Sequence, residues 1–356
     1  MTPKFHPLRL AEVRRETRDA ISLRFDVPAE LADDYRFTQG QHLTLKATVN
    51  GEELRRSYSI CSGVDDDELR VAIKRVQGGR FSNWACDALH PGDTLEVMTP
   101  EGRFHTELDP ASRRHYVAFA AGSGITPILS LIRTTLKREP HSRFTLIYGN
   151  RSLASTLFAE ALEDLKDRYL SRFTLYHVFS REEQDVPLFN GRIDRARVAA
   201  FLDTLLPPDT LDAAFVCGPG AMIDEVEAGL LGAGMPAERI HFERFGVPSD
   251  GAPAHHVEAG DAPQARITIV ADGLRREMDF HASDPSILDV ALAAGMDLPY
   301  SCKGGVCCTC RAKVVEGRVR MDKNYTLEQA DVDAGYVLTC QAHPLTERVV
   351  ISFDDR

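Results

Sequence analysis

Four of the chain's eight cysteines lie within nine positions, in the segment PYSCKGGVCCTC. Cys302 and Cys307 enclose four residues, Cys307 and Cys310 enclose two, and Cys340 follows after twenty-nine more. Cys308 is not part of this spacing. Four thiolates that one loop and one later segment bring together are typical ligands of a metal centre. The end of this 356-residue chain is therefore expected to hold one.

The C-x4-C-x2-C…C spacing is that of plant-type [2Fe-2S] ferredoxins. Gly304 and Gly305 supply the small residues that let the main chain approach the sulfurs closely. Zinc is the alternative, but zinc sites usually draw on two C-x2-C pairs and only one is present here. The expected ligands of the cluster are Cys302, Cys307, Cys310 and Cys340.

The residues around this loop predict the rest of a small α+β domain. Asp272-Gly273 joins two apolar segments and indicates a type I′ hairpin. Asp284 is expected to cap a helix that has Pro285 at its first position and ends at Gly295. Hairpin, helix and cysteine loop follow in the order of a β-grasp ferredoxin. Residues 264–356 therefore resemble a complete plant-type ferredoxin.

Length, charge and composition limit what the rest of the chain does. The chain has room for two or three domains, and its formal net charge of −11 argues against nonspecific binding of nucleic acid or of anionic membranes. No apolar run is long enough to span a bilayer and no signal peptide is evident, so a cytoplasmic location is expected. Cys61, Cys86 and Cys217 are expected to be reduced structural thiols.

Residues 247–263 are rich in Pro, Gly, Ala and Asp and have no apolar periodicity, which predicts a linker before the ferredoxin. His255 and His256 lie within it. A solvated polar tether explains this pair better than a metal site does.

Residues 1–108 contain short segments rich in β-branched residues, and Asn50-Gly51 marks a tight hairpin between two of them. This pattern predicts a small antiparallel β-barrel. Two segments, RRSYSI and GGRFSNW, stand out within it. Ser82 is expected to cap the helix that begins in the second segment, and the amino end of a helix is a ready site for a pyrophosphate.

Strands alternate with helices from residue 109 to residue 246, which predicts a parallel, doubly wound α/β sheet. Its first strand, HYVAFAA, leads through the turn GSGITP into a helix with Thr126 as its expected N-cap and Pro127 at its first position. A glycine turn at this place in such a sheet is where a pyrophosphate binds, although no third glycine completes the G-x-G-x-x-G fingerprint.

Taken together and in this order, the motifs R-x-Y-S, G-x-x-S, G-x-G-x-T-P and C-G-P resemble those of ferredoxin-NADP reductases. The resemblance implies that the barrel holds FAD through Arg56, Ser57, Tyr58, Ser59, Lys74, Gly79, Arg80, Phe81 and Ser82. It implies that the α/β domain holds NADPH through Gly122, Ser123, Gly124, Thr126, Asn150, Arg151, Ser180, Arg181, Cys217, Gly218 and Pro219. Arg181 matches a residue that grips the 2′-phosphate, and Arg151 is a second candidate. An Arg after a strand is usually only a solvated charge, so NADH is the alternative coenzyme.

The resemblance also implies that Ser59, Cys217, Glu243 and Phe245 lie near the flavin ring. The alternatives are a buried small hydrophobic residue for Cys217 and ordinary edge-strand residues for Glu243 and Phe245. No side chain is expected to act as a conventional acid or base, because the cofactors carry the redox chemistry.

The order of these domains implies a flow of electrons from NADPH through FAD to the cluster. No pattern indicates an oxygen-activating site, so the electrons are expected to pass to another protein. Nearly the whole chain, through FTQGQHLTLKA, GEELRRSYSIC, GGRFS, AAGSGITPI, FTLIYGNR, GRID, CGPGAM and LPYSCKGGVCCTC, resembles reductase components of multicomponent oxygenases. The resemblance implies a di-iron oxygenase subunit complex as electron acceptor. The alternatives are a Rieske-type steroid or aromatic-ring hydroxylase as acceptor, or a non-enzymatic redox sensor.

Overall fold

The computed structural model describes residues 4–246, 257–258 and 260–355. His6–Phe245 forms one compact unit and Gly246–Arg356 belongs to a second. Most of the predicted linker, including His255 and His256, lies outside the described residues. No helix in the described part of the chain is long and apolar enough to cross a membrane.

The first unit begins with a six-stranded sheet in the order β4-β3-β6-β1-β2-β5. Its elements are β1 (Phe5–Thr17), β2 (Ala20–Asp26), β3 (His42–Val49), β4 (Glu52–Ser59), β5 (Leu69–Lys74), α1 (Arg80–Ala88) and β6 (Thr94–Met98). A bridge between Ile60 and Val71 joins the chain just after β4 to β5, so the two edges of the sheet meet. Asn50 and Gly51 have φ of 53° and 80°, as a type I′ turn requires. The predicted antiparallel barrel is confirmed.

The same unit continues as a five-stranded parallel sheet in the order β11-β10-β7-β8-β9. Its elements are β7 (His115–Ala121), α2 (Ile125–Arg138), β8 (Arg143–Asn150), α3 (Ala159–Arg168), β9 (Phe173–Phe179), α4 (Arg195–Thr204), β10 (Ala213–Gly218), α5 (Gly220–Gly232) and β11 (Ile240–Arg244). Helices cover both faces, which explains the continuous apolar strands. In β7, Ala118 packs with α2 on one face and Phe119 packs with α4 and α5 on the other.

The second unit is a mixed sheet in the order β13-β12-β18-β14-β16, with a small ladder of β15 and β17. Its elements are β12 (Gln264–Ala271), β13 (Leu274–His281), α6 (Ile287–Ala293), β14 (Arg311–Glu316), β15 (Val319–Met321), α7 (Gln329–Asp333), β16 (Tyr336–Leu338), β17 (Ala342–Pro344) and β18 (Arg348–Ser352). Strands β12 and β18 are parallel and central, as in a β-grasp fold. Asp272 and Gly273 have φ of 50° and 74°, so the predicted hairpin turn is also confirmed.

Three predicted helix caps are wrong. The N-cap of α1 is Gly79, and Ser82 instead accepts a hydrogen bond from the amide of Val76 at 3.1 Å. Helix α2 starts at Ile125, because a 3-10 turn over Gly122–Gly124 already leads into it, and the Thr126 hydroxyl donates to the Ser123 carbonyl.

The third error concerns α6. Its N-cap is Ser286, whose hydroxyl accepts from the amide of Asp289 at 3.1 Å, and the predicted cap Asp284 lies before it. Gly295, with φ of 80°, follows the end of this helix as predicted.

Candidate functional site

A cavity of about 270 Å³ lies where the barrel meets the first turn of the α/β sheet. Its lining comprises Arg56, Ser57, Tyr58, Ser59, Ala72, Lys74, Val76, Gly79, Arg80, Phe81, Ser82, Ser123, Thr126 and Phe245. The fold thus brings the segments RRSYS, GGRFS and GSGIT to one place. Ala72 and Val76 were missed by the sequence analysis. Side chains two positions apart in a strand point to the same face, so Ala72 could have been predicted beside Lys74. Val76 also lies two positions from Lys74, just after the strand.

The amino end of α1 forms one wall of this cavity. A Cβ at Gly79 would lie 2.5 Å from the Ser82 hydroxyl oxygen and 3.0 Å from Cβ of Val76, so only glycine fits without displacing that hydroxyl. Phe81 is buried and packs against Tyr58, with 5.7 Å between the ring centroids. The amides at the start of α1, beside a glycine that leaves the backbone bare, fit a pyrophosphate group.

Ser59 and Glu243 form a hydrogen-bonded pair next to this cavity. The Ser59 hydroxyl donates to a Glu243 carboxylate oxygen at 2.8 Å. Removal of the carboxylate from water raises the pKa of Glu243 to about 7, and the bond from Ser59 opposes this rise. Glu243 therefore exchanges a proton in the neutral pH range. The family resemblance predicts Glu243 near the flavin, whereas no group is predicted from the sequence to work as an acid or base.

The glycine turn after β7 packs directly against the end of β10. A Cβ at Gly124 would lie 2.1 Å from the Cys217 carbonyl oxygen, so a glycine is required there. Gly122 has φ of 54°, and its carbonyl accepts a hydrogen bond from the Tyr148 hydroxyl at 2.9 Å. The turn and the C-G-P segment are therefore held together at the carboxyl edge of the parallel sheet, where nucleotides bind in such folds.

Cys217 and Lys74 lie on either side of this turn. Cys217 is fully buried, and burial raises the pKa of its thiol well above the usual value, with the charge of Glu243 adding to the effect. Lys74 is half-buried, and desolvation lowers the pKa of its ammonium group, with Arg151 as a further cause. Cys217 is thus a neutral, buried thiol at the end of a strand.

Arg151, Ser180 and Arg181 form an exposed group outside the cavity, at the ends of β8 and β9. The amide of Ser180 donates to the Asn150 carbonyl at 3.0 Å, and the amide of Arg181 donates to the Arg151 carbonyl at 2.9 Å. Glu182 accepts a hydrogen bond from the amide of Leu153 at 2.9 Å. Both arginines are exposed and their backbones are joined by the hydrogen bond from the Arg181 amide, which suits the binding of a phosphate.

The four predicted cluster ligands come together in the second unit as two pairs. The thiol of Cys302 interacts with that of Cys307, and the thiol of Cys310 interacts with that of Cys340. Hydrogen bonding from Cys307 lowers the pKa of Cys302 to about 6. The backbone amide of Gly304 donates to Cys302 Sγ at 3.3 Å, and that of Cys302 donates to Cys307 Sγ at 3.5 Å.

The thiol of Cys310 also interacts with those of Cys302 and Cys307, so all four predicted ligands face one site. Cys308 is half-buried, has φ of 60° and packs beside the domain core. The donors and the surrounding amides therefore fit a [2Fe-2S] cluster.

Comparisons with known proteins agree with this arrangement. Models of an oxidoreductase FAD-binding domain, an oxidoreductase NAD-binding domain and a 2Fe-2S iron-sulfur cluster binding domain match residues 7–106, 119–228 and 269–345. A subunit of the 1,2-phenylacetyl-CoA epoxidase of Escherichia coli K12 is 49% identical over 98% of this chain and 98% of its own. The ferredoxin reductase component of 3-ketosteroid-9-alpha-monooxygenase of Rhodococcus rhodochrous is 36% identical over 97% of this chain and 96% of its own. The structure of phthalate dioxygenase reductase matches with a TM-score of 0.59 and 24% identity over 98% of both chains, which supports the fold.

The fold, the sites and these matches define an NAD(P)H-dependent oxidoreductase with domains that bind FAD, NAD(P) and a [2Fe-2S] cluster. The chain belongs to the family of oxygenase reductase components that contains the epoxidase and steroid monooxygenase proteins above.

Proposed function

We propose that this protein is the reductase subunit of a phenylacetyl-CoA epoxidase and delivers electrons from NADPH to a di-iron oxygenase complex. The observation that carries the proposal is the 49% identity to the E. coli epoxidase subunit over 98% of both chains. The steroid monooxygenase reductase, at 36% identity, has the same domains and supports the nearest alternative acceptor.

The geometry of the cavity and of the glycine turn supports the proposed cofactor sites. The cavity residues from Arg56 to Ser82 hold FAD, with its pyrophosphate at the start of α1. The turn Gly122–Gly124 and the segment Cys217–Pro219 orient the coenzyme, and Arg151 and Arg181 face its 2′-phosphate. FAD, when bound, converts the two-electron chemistry of the nicotinamide into the one-electron chemistry of the cluster.

NADPH gives up two electrons and one proton together as a hydride, so that proton needs an acceptor only when the electrons pass on singly to the cluster. Ser59 and Glu243 supply it in this proposal, because a carboxyl whose pKa is about 7 both takes and releases a proton at neutral pH. Phe245 lines the same cavity. We infer that the protein acts in the cytoplasm, where NADPH and reduced thiols are available.

Reconstitution tests the proposed partner. The purified holoprotein, mixed with the di-iron subunits of phenylacetyl-CoA epoxidase, should support NADPH-dependent oxygenation of phenylacetyl-CoA, and neither component should do so alone. The matched control replaces those subunits with the oxygenase component of 3-ketosteroid-9-alpha-monooxygenase and its steroid. Faster coupled turnover with the steroid system would contradict the proposal. Steady NADPH-dependent reduction of cytochrome c separates an enzyme from a redox sensor.

A further inference from the structure

Gln341 follows the ligand Cys340 and buries its side-chain amide beside the cysteine loop. Its exposed fraction is 4%. The amide nitrogen lies 2.9 Å from the Cys340 carbonyl oxygen and 3.0 Å from the Lys303 carbonyl oxygen. Carbonyl oxygens only accept hydrogen bonds, so the nitrogen end of the amide must face them. Gln341 thus ties the segment of the last ligand to the loop of the first three.

The carbonyl of Lys303 belongs to the same planar peptide unit as the amide of Gly304. Fixing the carbonyl end of that unit therefore fixes the direction of its N–H group. This N–H group donates to Cys302 Sγ at 3.3 Å. Gln341 and Cys302 thus form hydrogen bonds to the two opposite ends of one peptide plane.

Lys303 has φ of 50°, which puts it in the left-handed region. A residue with a Cβ is strained in that region, so contacts from outside the segment help to hold the loop in this conformation. A rotation of the Lys303–Gly304 peptide would turn the N–H group away from the sulfur. The hydrogen bond from the Gln341 amide to the Lys303 carbonyl opposes that rotation. Its bond to the Cys340 carbonyl anchors the amide, whose nitrogen also lies 3.8 Å from Cys340 Sγ.

We propose that Gln341 is a positioning residue for the iron-sulfur cluster, which aims the Gly304 N–H group at the Cys302 sulfur and thereby raises the reduction potential of the cluster. The proposal rests on the ligation by Cys302, Cys307, Cys310 and Cys340 proposed above. Reduction adds negative charge that the ligand sulfurs share, and an N–H donor stabilises the more negative state. Loss of the donor therefore lowers the potential.

The experiment compares wild type with Gln341→Met and Gln341→Glu in the full-length holoprotein. Methionine keeps the length of the side chain without a donor, and an ionised glutamate turns acceptors toward the Lys303 carbonyl. The EPR-monitored midpoint potential should fall from wild type to the Met variant and further in the Glu variant. For the Met variant we expect the equilibrium constant of the one-electron reduction to fall by up to about tenfold, which corresponds to a midpoint potential lower by ~59 mV. Gln39→Met is the control, since Gln39 is 3% exposed and donates to the Thr106 carbonyl in the other unit.

Iron, sulfide and EPR analysis of the wild type come first, because a protein without a [2Fe-2S] signal would contradict the proposed ligation rather than the role of Gln341. A wild-type cluster together with an unchanged potential in the Met variant overturns the role of Gln341. If neither variant assembles a cluster, pulsed EPR of the reduced wild type, grown with ¹⁵N-glycine, decides the question. Coupling to a glycine amide nitrogen is expected, and its absence would overturn the proposal.

Discussion

Ser59 and Glu243 are 184 positions apart in the sequence and 2.8 Å apart in the fold. No local pattern predicts such a pair, because it forms only when the edge strand β11 is laid beside the end of β4. The family motifs predict each residue separately near the flavin. They do not predict that the two share a hydrogen bond or that the pKa of the carboxyl moves to about 7.

The pH titration of Glu243 is the first prediction at this scale. Because desolvation disfavours the carboxylate, the protonated form should persist up to a midpoint near pH 7 instead of 4.5. The infrared C=O stretch of the protonated carboxyl, identified by its loss in Glu243→Gln, measures it. Ser59→Ala should move the midpoint higher, because the bond from Ser59 lowers this pKa. A wild-type midpoint near 4.5 would contradict the assignment.

Coenzyme choice is the second prediction. If Arg181 holds the 2′-phosphate as proposed, charge-assisted hydrogen bonds contribute roughly 1.5 to 3 kcal/mol, so Arg181→Ala should lose about tenfold or more in kcat/KM for NADPH and little for NADH. Arg168→Ala, a change elsewhere on the same domain, is the control. Equal losses with both coenzymes would leave Arg151 as the candidate.

The cysteines give the third prediction. Cys302, Cys307, Cys310 and Cys340 stand in two interacting pairs, and Cys308 turns its backbone to φ of 60° between two of them. Replacing any of the four by Ser should abolish the iron content and the reduced-cluster EPR signal, whereas Cys308→Ala should keep both. Retention of the cluster in Cys307→Ser together with its loss in Cys308→Ala would show that the register is shifted.

At the level of elements, strands and tight turns were predictable and helix starts were not. Strand periodicity and the pairs Asn50-Gly51 and Asp272-Gly273 are local signals, and local backbone preference decides the outcome. Helix caps depend on the conformation of the residue before the helix. The 3-10 turn at Gly122–Gly124 leads into α2. In α6, Ser286 and not Asp284 is the N-cap, because the Ser286 hydroxyl accepts a hydrogen bond from the amide of Asp289. Sequence alone does not contain that competition.

The contact between the glycine turn and β10 supports the fourth prediction. Gly124→Ala would place a Cβ 2.1 Å from the Cys217 carbonyl oxygen, which is backbone and does not move aside, so the turn must separate from the C-G-P segment. We expect several-fold weaker NADP⁺ binding, measured by difference spectroscopy, with the FAD content retained. Gly220→Ala is the matched control, because its Cβ meets only Arg244 at 3.5 Å. Equal effects of the two changes would contradict this role of the turn.

On the scale of the whole molecule, the order of the domains was predictable because each has its own periodicity and motif. The chain divides into the unit His6–Phe245, which contains the cavity, and the unit that contains the cysteine loop. Asp and Glu outnumber Lys and Arg in residues 264–356. We expect this acidic module to dock on a basic or polar patch of the oxygenase, with rates that depend on salt.

The last prediction separates the two units by function. A chain that ends at Gly246 keeps the cavity, the Ser59–Glu243 pair and the coenzyme turn, so it should still reduce ferricyanide with NADPH. It lacks all four cluster ligands and should lose NADPH-dependent oxygenation of phenylacetyl-CoA in the mixture with the di-iron subunits. Full-length Cys340→Ser is the matched control, because it removes one ligand and keeps the chain length, and it should show the same split. If the truncated chain drives epoxidation as fast as the full one, electrons leave from the flavin and the ferredoxin is not their route to the partner.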